Sequence, residues 1–391
     1  MNFQPTIDYI RSLYPNRELV PLHEPYFGGN EKKYVEDCIT STFVSSVGKY
    51  VDKFEEMIRD FTGAKYAIAT VNGTAALHVA LKLAGVKQGE LVITQPLTFI
   101  ATCNAISYCG ASPVFVDVEP KSLGMSAAAL QSWLIDNVEL VVNGDNAHAV
   151  HQLSGKRISA CVPMHTFGHP CEIDAIADIC KRYHISLVED AAESIGSYYK
   201  GQHTGTFGKL GILSFNGNKT ITTGGGGMVI TDDDTLGPLA KHITTTAKKP
   251  HPWKFEHDMT GYNYRLPNIN AALGCAQMEM LPELLSNKRN TAELYQVFFT
   301  TQADMQFVQE PLDCISNFWL NAILLPSMEH REAFLKYSNE AKVITRPAWM
   351  LMNELSMFRD SLCGDIPIAK DIAARLVNLP SSYRPVQKEQ A

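Results

Sequence analysis

Asp190 and Lys219 carry the first chemical signal in this chain. Asp190 ends the apolar run ISLVED (Ile185–Asp190), and Lys219 lies inside SFNGNKTITTGGGGM (Ser214–Met228). A carboxylate that closes such a run is expected to be buried, which is costly unless a cation or hydrogen-bond donors face it. A lysine able to form an imine and a carboxylate able to hold a protonated pyridine are the two protein groups that pyridoxal phosphate requires. Plainer alternatives stay open on local sequence alone. Asp190 fits an N-cap for the AAES segment after it, and a lysine such as Lys219 is ordinarily a surface residue.

Elements must bring these groups together, and the pattern supplies them. YAIATV (Tyr66–Val71), LVITQ (Leu91–Gln95), PVFVDV (Pro113–Val118), ISACVPM (Ile158–Met164) and ISLVED read as strands. Helix-period segments at Thr74–Ala84 and Ile173–His184 lie between them. This alternation predicts a mostly parallel α/β sheet with helices on both faces. ILSFNG and GMVITDD look like an added hairpin-type pair. After GYNYRLPNINAALG (Gly261–Gly274) a long helical pattern runs to about Phe299, followed by strands at WLNAILL and KVITRP mixed with helices. We expect a large domain over residues 1–265, with an N-terminal arm, and a smaller α+β domain over 266–391. The polar end at 387–391 is expected to fray.

Ligands of open parallel sheets gather at the carboxyl ends of strands, where several unusual residues converge. Asn72-Gly73-Thr74-Ala75 turns a strand into a helix, so a phosphate could meet free N–H groups and a hydroxyl there. Simple helix capping by Asn72 or Thr74 is the alternative. Phe99 follows the next strand and either covers an aromatic ligand or joins the core. His165 ends another strand, Glu193 follows Asp190 closely, and Ser214 is a second candidate phosphate donor. The Gly224–Gly227 run permits close packing around a ligand or is only a flexible turn.

Other chemistries are poorly supported. GxGxxG and HExxH are absent, and GTFGKLG lacks the P-loop spacing. His165 and His169 sit four apart, but Gly168 and the loop setting disfavour a helical metal pair, so no metal is expected. With 34 basic against 41 acidic residues the formal charge is −7, which does not call for nucleic acid or an anionic membrane. No apolar run approaches a membrane span, and the first residues lack a signal-peptide core. Nine scattered cysteines without CxxC read as reduced thiols in a cytoplasmic protein.

NGTAAL, PLTFIATCNAI, VEDAAESIGS, the SF-x3-K segment with GGGGM, and GYNYRLPNINAALGCAQ occur in this order over nearly the whole chain. Together they resemble the DegT/StrS family of pyridoxal phosphate-dependent nucleotide-sugar aminotransferases. LHEPYFGGNEKKYV, STFVSSVGKYVDKFE, PMHTFGHP and NLPSS are similar to its LegC-type subgroup. That subgroup aminates the 4-keto group of a nucleotide-linked 2-acetamido-4-keto-6-deoxy sugar on the route to legionaminic-type sugars. The resemblance implies a fold-type-I, aspartate-aminotransferase-like homodimer with active sites shared between subunits. It implies Lys219 as the imine-forming lysine, Asp190 as partner of the ring nitrogen, and Phe99 as the stacking aromatic. Gly73, Thr74, Ala75 and Ser214 match phosphate-side positions. Asn263 matches a residue reaching the phosphate from the other subunit, and Glu193 lies near the cofactor's phenolic edge. On chemical grounds Lys248, Lys249, Arg265 and Arg346 are candidates for the nucleotide diphosphate. His165, Tyr262 and Trp319 are candidates to line the sugar. Glutamate is the expected donor. A dehydratase on the same sugars and a non-catalytic sensor are the rival readings; the retained lysine favours transamination.

Overall fold

The computed structural model describes residues 1–144 and 146–384; the polar end at 387–391 lies outside them. A ten-stranded sheet forms the centre. Its main path runs Tyr66–Thr70, Gly227–Thr231, Leu210–Ser214, Ser186–Asp190, Arg157–Val162, Leu91–Thr94, Ser112–Phe115 and Leu362–Cys363. Pairings from Leu210–Ser214 to Leu362–Cys363 are parallel. Gly227–Thr231 runs antiparallel to both its neighbours, as the hairpin reading of ILSFNG and GMVITDD expects. No tight turn joins that pair. Residues 215–226 form a long excursion, and Lys219 sits on it.

Both faces of the sheet are covered, so its strands read as apolar runs. Side chains alternate between the faces: Val92, Val188, Ile212 and Val229 enter one core. Their neighbours Ile93 and Leu187 enter a second, and Leu213 and Met228 a third. The helix Gly73–Leu83 contributes Leu77, Val79 and Leu81 to the first. Ile173–Arg182 buries Ile173, Ile176 and Ile179 in the second, the stripe its periodicity predicts. The long helix spans Asn268–Phe299. It therefore begins inside the GYNYRLPNINAALG motif and not after it. Pro267, with φ −64°, delivers the chain into the first turn from an extended conformation.

A second, antiparallel sheet orders Gln306–Phe307, Asn321–Leu324, Leu376–Leu379 and Arg346–Pro347. KVITRP thus yields only a two-residue strand. Ile323 and Val377 share a core with Ile7 and Ile10 of the N-terminal helix Gln4–Leu13, so the start of the chain packs on its last third. Cys314–Ile315 pairs with Tyr198–Tyr199, which carries the following residues, Ser316–Trp319, to the rim of the large sheet. All nine cysteines are free thiols. Among the described residues, no helix is long and apolar enough to cross a membrane.

Candidate active site

A cavity of about 340 Å³ opens at the carboxyl ends of the central strands. Lys219, Asp190, Glu193, Gly73, Thr74, Phe99, Ser214 and Trp319 all line it. A larger cavity of about 470 Å³, near Phe299, Phe307 and Glu310, contains none of them.

Asp190 reaches this edge because it is the last residue of its strand. It is 4% exposed. Thr102 Oγ1 donates to its Oδ2 at 2.7 Å, and the Ala192 N–H donates to Oδ1 at 3.2 Å. No helix follows Asp190, so the capping alternative is reduced to this one local bond. Burial pushes its carboxyl upward, opposed by Thr102, the Ala192 N–H and the charge of Lys219.

Glu193 is more strongly affected. Burial raises it to about 7 against the lowering pull of Lys219 and the Phe167 N–H. Its Oε1 lies 3.1 Å from Lys219 Nζ, and its Oε2 accepts from Phe167 N at 2.9 Å. The Lys219 side chain is only 12% exposed, and Nζ stands 3.9 Å from the centroid of the Trp319 ring. The surface-lysine alternative therefore fails for Lys219.

At the other end, Asn72 Oδ1 accepts from Ala75 N at 2.8 Å and caps the helix. Asn72 thus does the capping. It leaves Gly73 and Thr74 as first-turn N–H groups beside the cavity, where an anion is favoured. The cap occupies the N–H of Ala75, and Ala75 does not line the cavity. Gly73 is required by close approach, since a Cβ there would lie 2.8 Å from Ser214 Cβ and 3.0 Å from its Oγ. Phe99 precedes the helix Ile100–Tyr108 and is 48% exposed, its ring edge-on to Trp349 at 6.3 Å.

Several sequence candidates lie elsewhere. His165 is fully buried behind the edge, its Nε2 3.0 Å from Glu189 Oε2 and its Nδ1 beside the Cys171 N–H. It cannot line a sugar from there. Burial alone would lower its pKa, but Cys171 and Glu189 together raise it to about 10. Lys248 lies over the Phe255 ring, and Lys249 pairs with Glu256. Tyr262 stacks on Tyr264. Arg265 donates to Asn263 Oδ1, and Asn263 is exposed. Arg346 donates to Asn339 Oδ1 and Thr345 O. None of these lines the cavity within one chain.

Sequence reasoning did not single out Trp349, Asn216 or Asn218 as cavity residues. Thr102 was visible only as one residue of PLTFIATCN; its position in the first turn of a helix gave no signal that it would meet Asp190.

The residues fit pyridoxal phosphate. Asp190 has no cation within hydrogen-bond distance among the described residues, and a protonated ring nitrogen would provide one. Lys219 is the one cation among the lining residues, placed for an aldehyde. First-turn N–H groups with Thr74 and Ser214 suit a phosphate.

The comparisons agree. Residues 25–391 match the DegT/DnrJ/EryC1/StrS aminotransferase family. GDP-perosamine synthase of Escherichia coli O157:H7 is 36% identical over 362 residues, covering 93% of each chain. Among solved structures, the aminotransferase TlmJ from Streptoalloteichus hindustanus superposes with TM-score 0.83 at 24% identity, over 95% of both chains. Helicobacter pylori PseC, an aminotransferase involved in the biosynthesis of pseudoaminic acid, gives TM-score 0.82 at 23% identity over 93% of this chain and 94% of its own. The chain thus has the fold-type-I aminotransferase architecture and belongs to the DegT/DnrJ/EryC1/StrS aminotransferase family, with pyridoxal phosphate as its cofactor.

Proposed function

We propose that this protein moves an amino group from glutamate to the 4-keto carbon of a nucleotide-linked 2-acetamido-4-keto-6-deoxy sugar, as in LegC-type routes to legionaminic- and bacillosamine-type sugars. The observation that carries the aminotransfer is the shared cavity of Lys219, Asp190 and Glu193. A nucleotide-linked sugar is supported by the 36% identity to a GDP-perosamine synthase. That relative also supports a second reading, in which the carrier is GDP and not UDP.

In this proposal Lys219 bears the cofactor and Asp190 holds its ring nitrogen. Gly73, Thr74 and Ser214 hold the phosphate, and Phe99 covers the ring. Asn263, exposed on its own chain, reaches the site of a second copy in a cytoplasmic homodimer. We also propose a cofactor-binding part over residues 1–265 and a smaller part over 266–391, with Gln4–Leu13 packed against the smaller part and Leu362–Cys363 returned to the large sheet.

When bound, pyridoxal phosphate supplies an aldehyde for amines and a ring that takes up an electron pair from the neighbouring carbon. With its amine free, Lys219 would take a proton from the donor's α-carbon and return one nearby. Glu193 steadies the ammonium form of Lys219 at 3.1 Å. Asp190 favours a protonated ring nitrogen through its negative charge, each pKa unit being worth about 1.4 kcal/mol. Phe99 and Trp349 at the mouth keep water from the reacting carbon.

The test is to supply enzyme, pyridoxal phosphate and glutamate with UDP- and GDP-linked 4-keto sugars separately and to weigh the products. A gain of nitrogen with one carrier supports the reading. Loss of oxygen without nitrogen would make the protein a dehydratase, and no product with either carrier would remove the sugar assignment. Lys219→Ala is expected to abolish turnover, and Asp190→Asn to keep cofactor but lose most of the rate.

A further inference from the structure

The two neighbours of the Lys219 amine, Glu193 and Trp319, are held by one residue, Asn317. Asn317 is 1% exposed and uses its whole amide. Its Nδ2 donates to Glu193 O and Ile195 O, each at 2.9 Å, and lies 3.4 Å from Thr220 Oγ1. Its Oδ1 accepts from Trp319 N at 2.8 Å. The Trp319 indole Nε1 donates to Asn218 O at 2.6 Å, gripping the backbone immediately before Lys219. From behind, the buried Lys288 Nζ donates to Trp319 O at 3.2 Å. An indole face 3.9 Å from an ammonium favours the charged form electrostatically.

We propose that Asn317 and Trp319 form a bracket that parks the free amine of Lys219 between Glu193 and the indole whenever the amine is not bonded to the cofactor. Trp319 is a positioning residue for Lys219 and not part of the sugar wall. Asn317 is a positioning residue acting through Trp319 and Glu193. The inference rests on Lys219 as the cofactor-bearing lysine. Its geometry comes entirely from the chain's own side chains and backbone.

The experiment uses the full-length chain freed of cofactor, labelled briefly with acetic anhydride at neutral pH. Mass spectrometry gives the extent of acetylation at Lys219 relative to the exposed Lys87. Trp319→Leu removes both the indole face and the Asn218 tether, so the Lys219 to Lys87 ratio is expected to rise about tenfold. Trp319→Phe keeps a π face and loses only the tether, so its ratio is expected to fall between wild type and leucine. In the loaded enzyme Trp319→Leu should lower kcat while KM for the keto sugar stays near wild type, with partial rescue by phenylalanine. A wild-type labelling ratio in folded Trp319→Leu overturns the bracket, as does a raised sugar KM with unchanged kcat. Should the leucine variant not fold, the phenylalanine variant decides by the same ratio. Labelling is read without cofactor, so a negative result here is separable from a failure of the aminotransferase reading, which the Lys219→Ala assay detects.

Discussion

Thr102 Oγ1 donates a 2.7 Å hydrogen bond to Asp190 Oδ2, tying the carboxylate at the end of one strand to the first turn of the Ile100–Tyr108 helix. Thr98 Oγ1 stands 2.9 Å from Thr102 Oγ1 and completes a short hydroxyl chain. Replacing Thr102 by valine keeps the shape and removes the donor. A hydrogen bond to a charged group is worth about 1.5–3 kcal/mol, so Thr102→Val is expected to weaken cofactor binding by about tenfold or more. Absorbance titration of the cofactor-free protein measures it; unchanged affinity would show that Asp190 is held without the hydroxyl.

Glu193 makes stability depend on pH in a defined direction. Its carboxyl has a folded-state pKa of about 7 against 4.5 for an ordinary glutamate, so the folded state binds the proton more tightly. Stability from this group is therefore present below about pH 4.5 and is lost as pH rises toward 7, by roughly 3 kcal/mol at most. Glu193→Gln should flatten this part of the curve in urea melts between pH 4.5 and 7. A parallel curve for wild type and variant would assign the slope to other groups.

His165 should matter to the fold and not to the substrate. Glu189 is fully buried; its Oε2 meets His165 and the Gly205 N–H, its Oε1 accepts from Phe207 and Gly208, and His165 is its one side-chain partner among the described residues. His165→Leu leaves a buried carboxylate without its side-chain hydrogen bond, expected to cost about 1–3 kcal/mol. Thermal melts should show a lower Tm for the variant near neutrality, while KM for the keto sugar in the surviving folded enzyme is unchanged.

Gly168 is predicted to be irreplaceable. Its φ is +95°, and a Cβ there would lie 1.8 Å from Asn317 Oδ1. Gly168→Ala must displace Asn317 as well as strain the backbone, and a loss above about 2 kcal/mol is expected from the two effects together. Chemical denaturation measures it, and a near-neutral result would show that Asn317 has room to move.

The strand ends were legible because burial leaves apolar runs in a sequence that stop at polar residues near the edge, as ISLV stops at Glu189 and Asp190. Val188 lies in the core just before Asp190, which is why that carboxylate could be assigned to the edge. His165 reads as the end of a strand in the same way, but the strand stops at Val162 and the histidine, three residues on, faces backwards. Strand position alone cannot separate the two, because the deciding partner, Glu189, belongs to another strand. The basic candidates Lys248, Arg265 and Arg346 were chosen by charge, and charge carries no information about direction. Asn317 was invisible for a related reason: its importance lies in bonds to residues more than a hundred positions away. The early start of the Asn268–Phe299 helix was hidden by the proline and asparagines of NYRLPNIN, which read locally as loop.

The short strand Leu362–Cys363 pairs in parallel with Ser112–Phe115, and this order matters during synthesis. While a nascent chain emerges from the ribosome, Ser112–Phe115 is made long before its outer neighbour exists. An unpaired strand edge is a template for pairing with other chains, so growing polypeptides are most prone to stick to one another until Leu362–Cys363 has emerged. Expression at lower temperature, or with a chaperone that shields open edges, should raise the recovered yield for that reason.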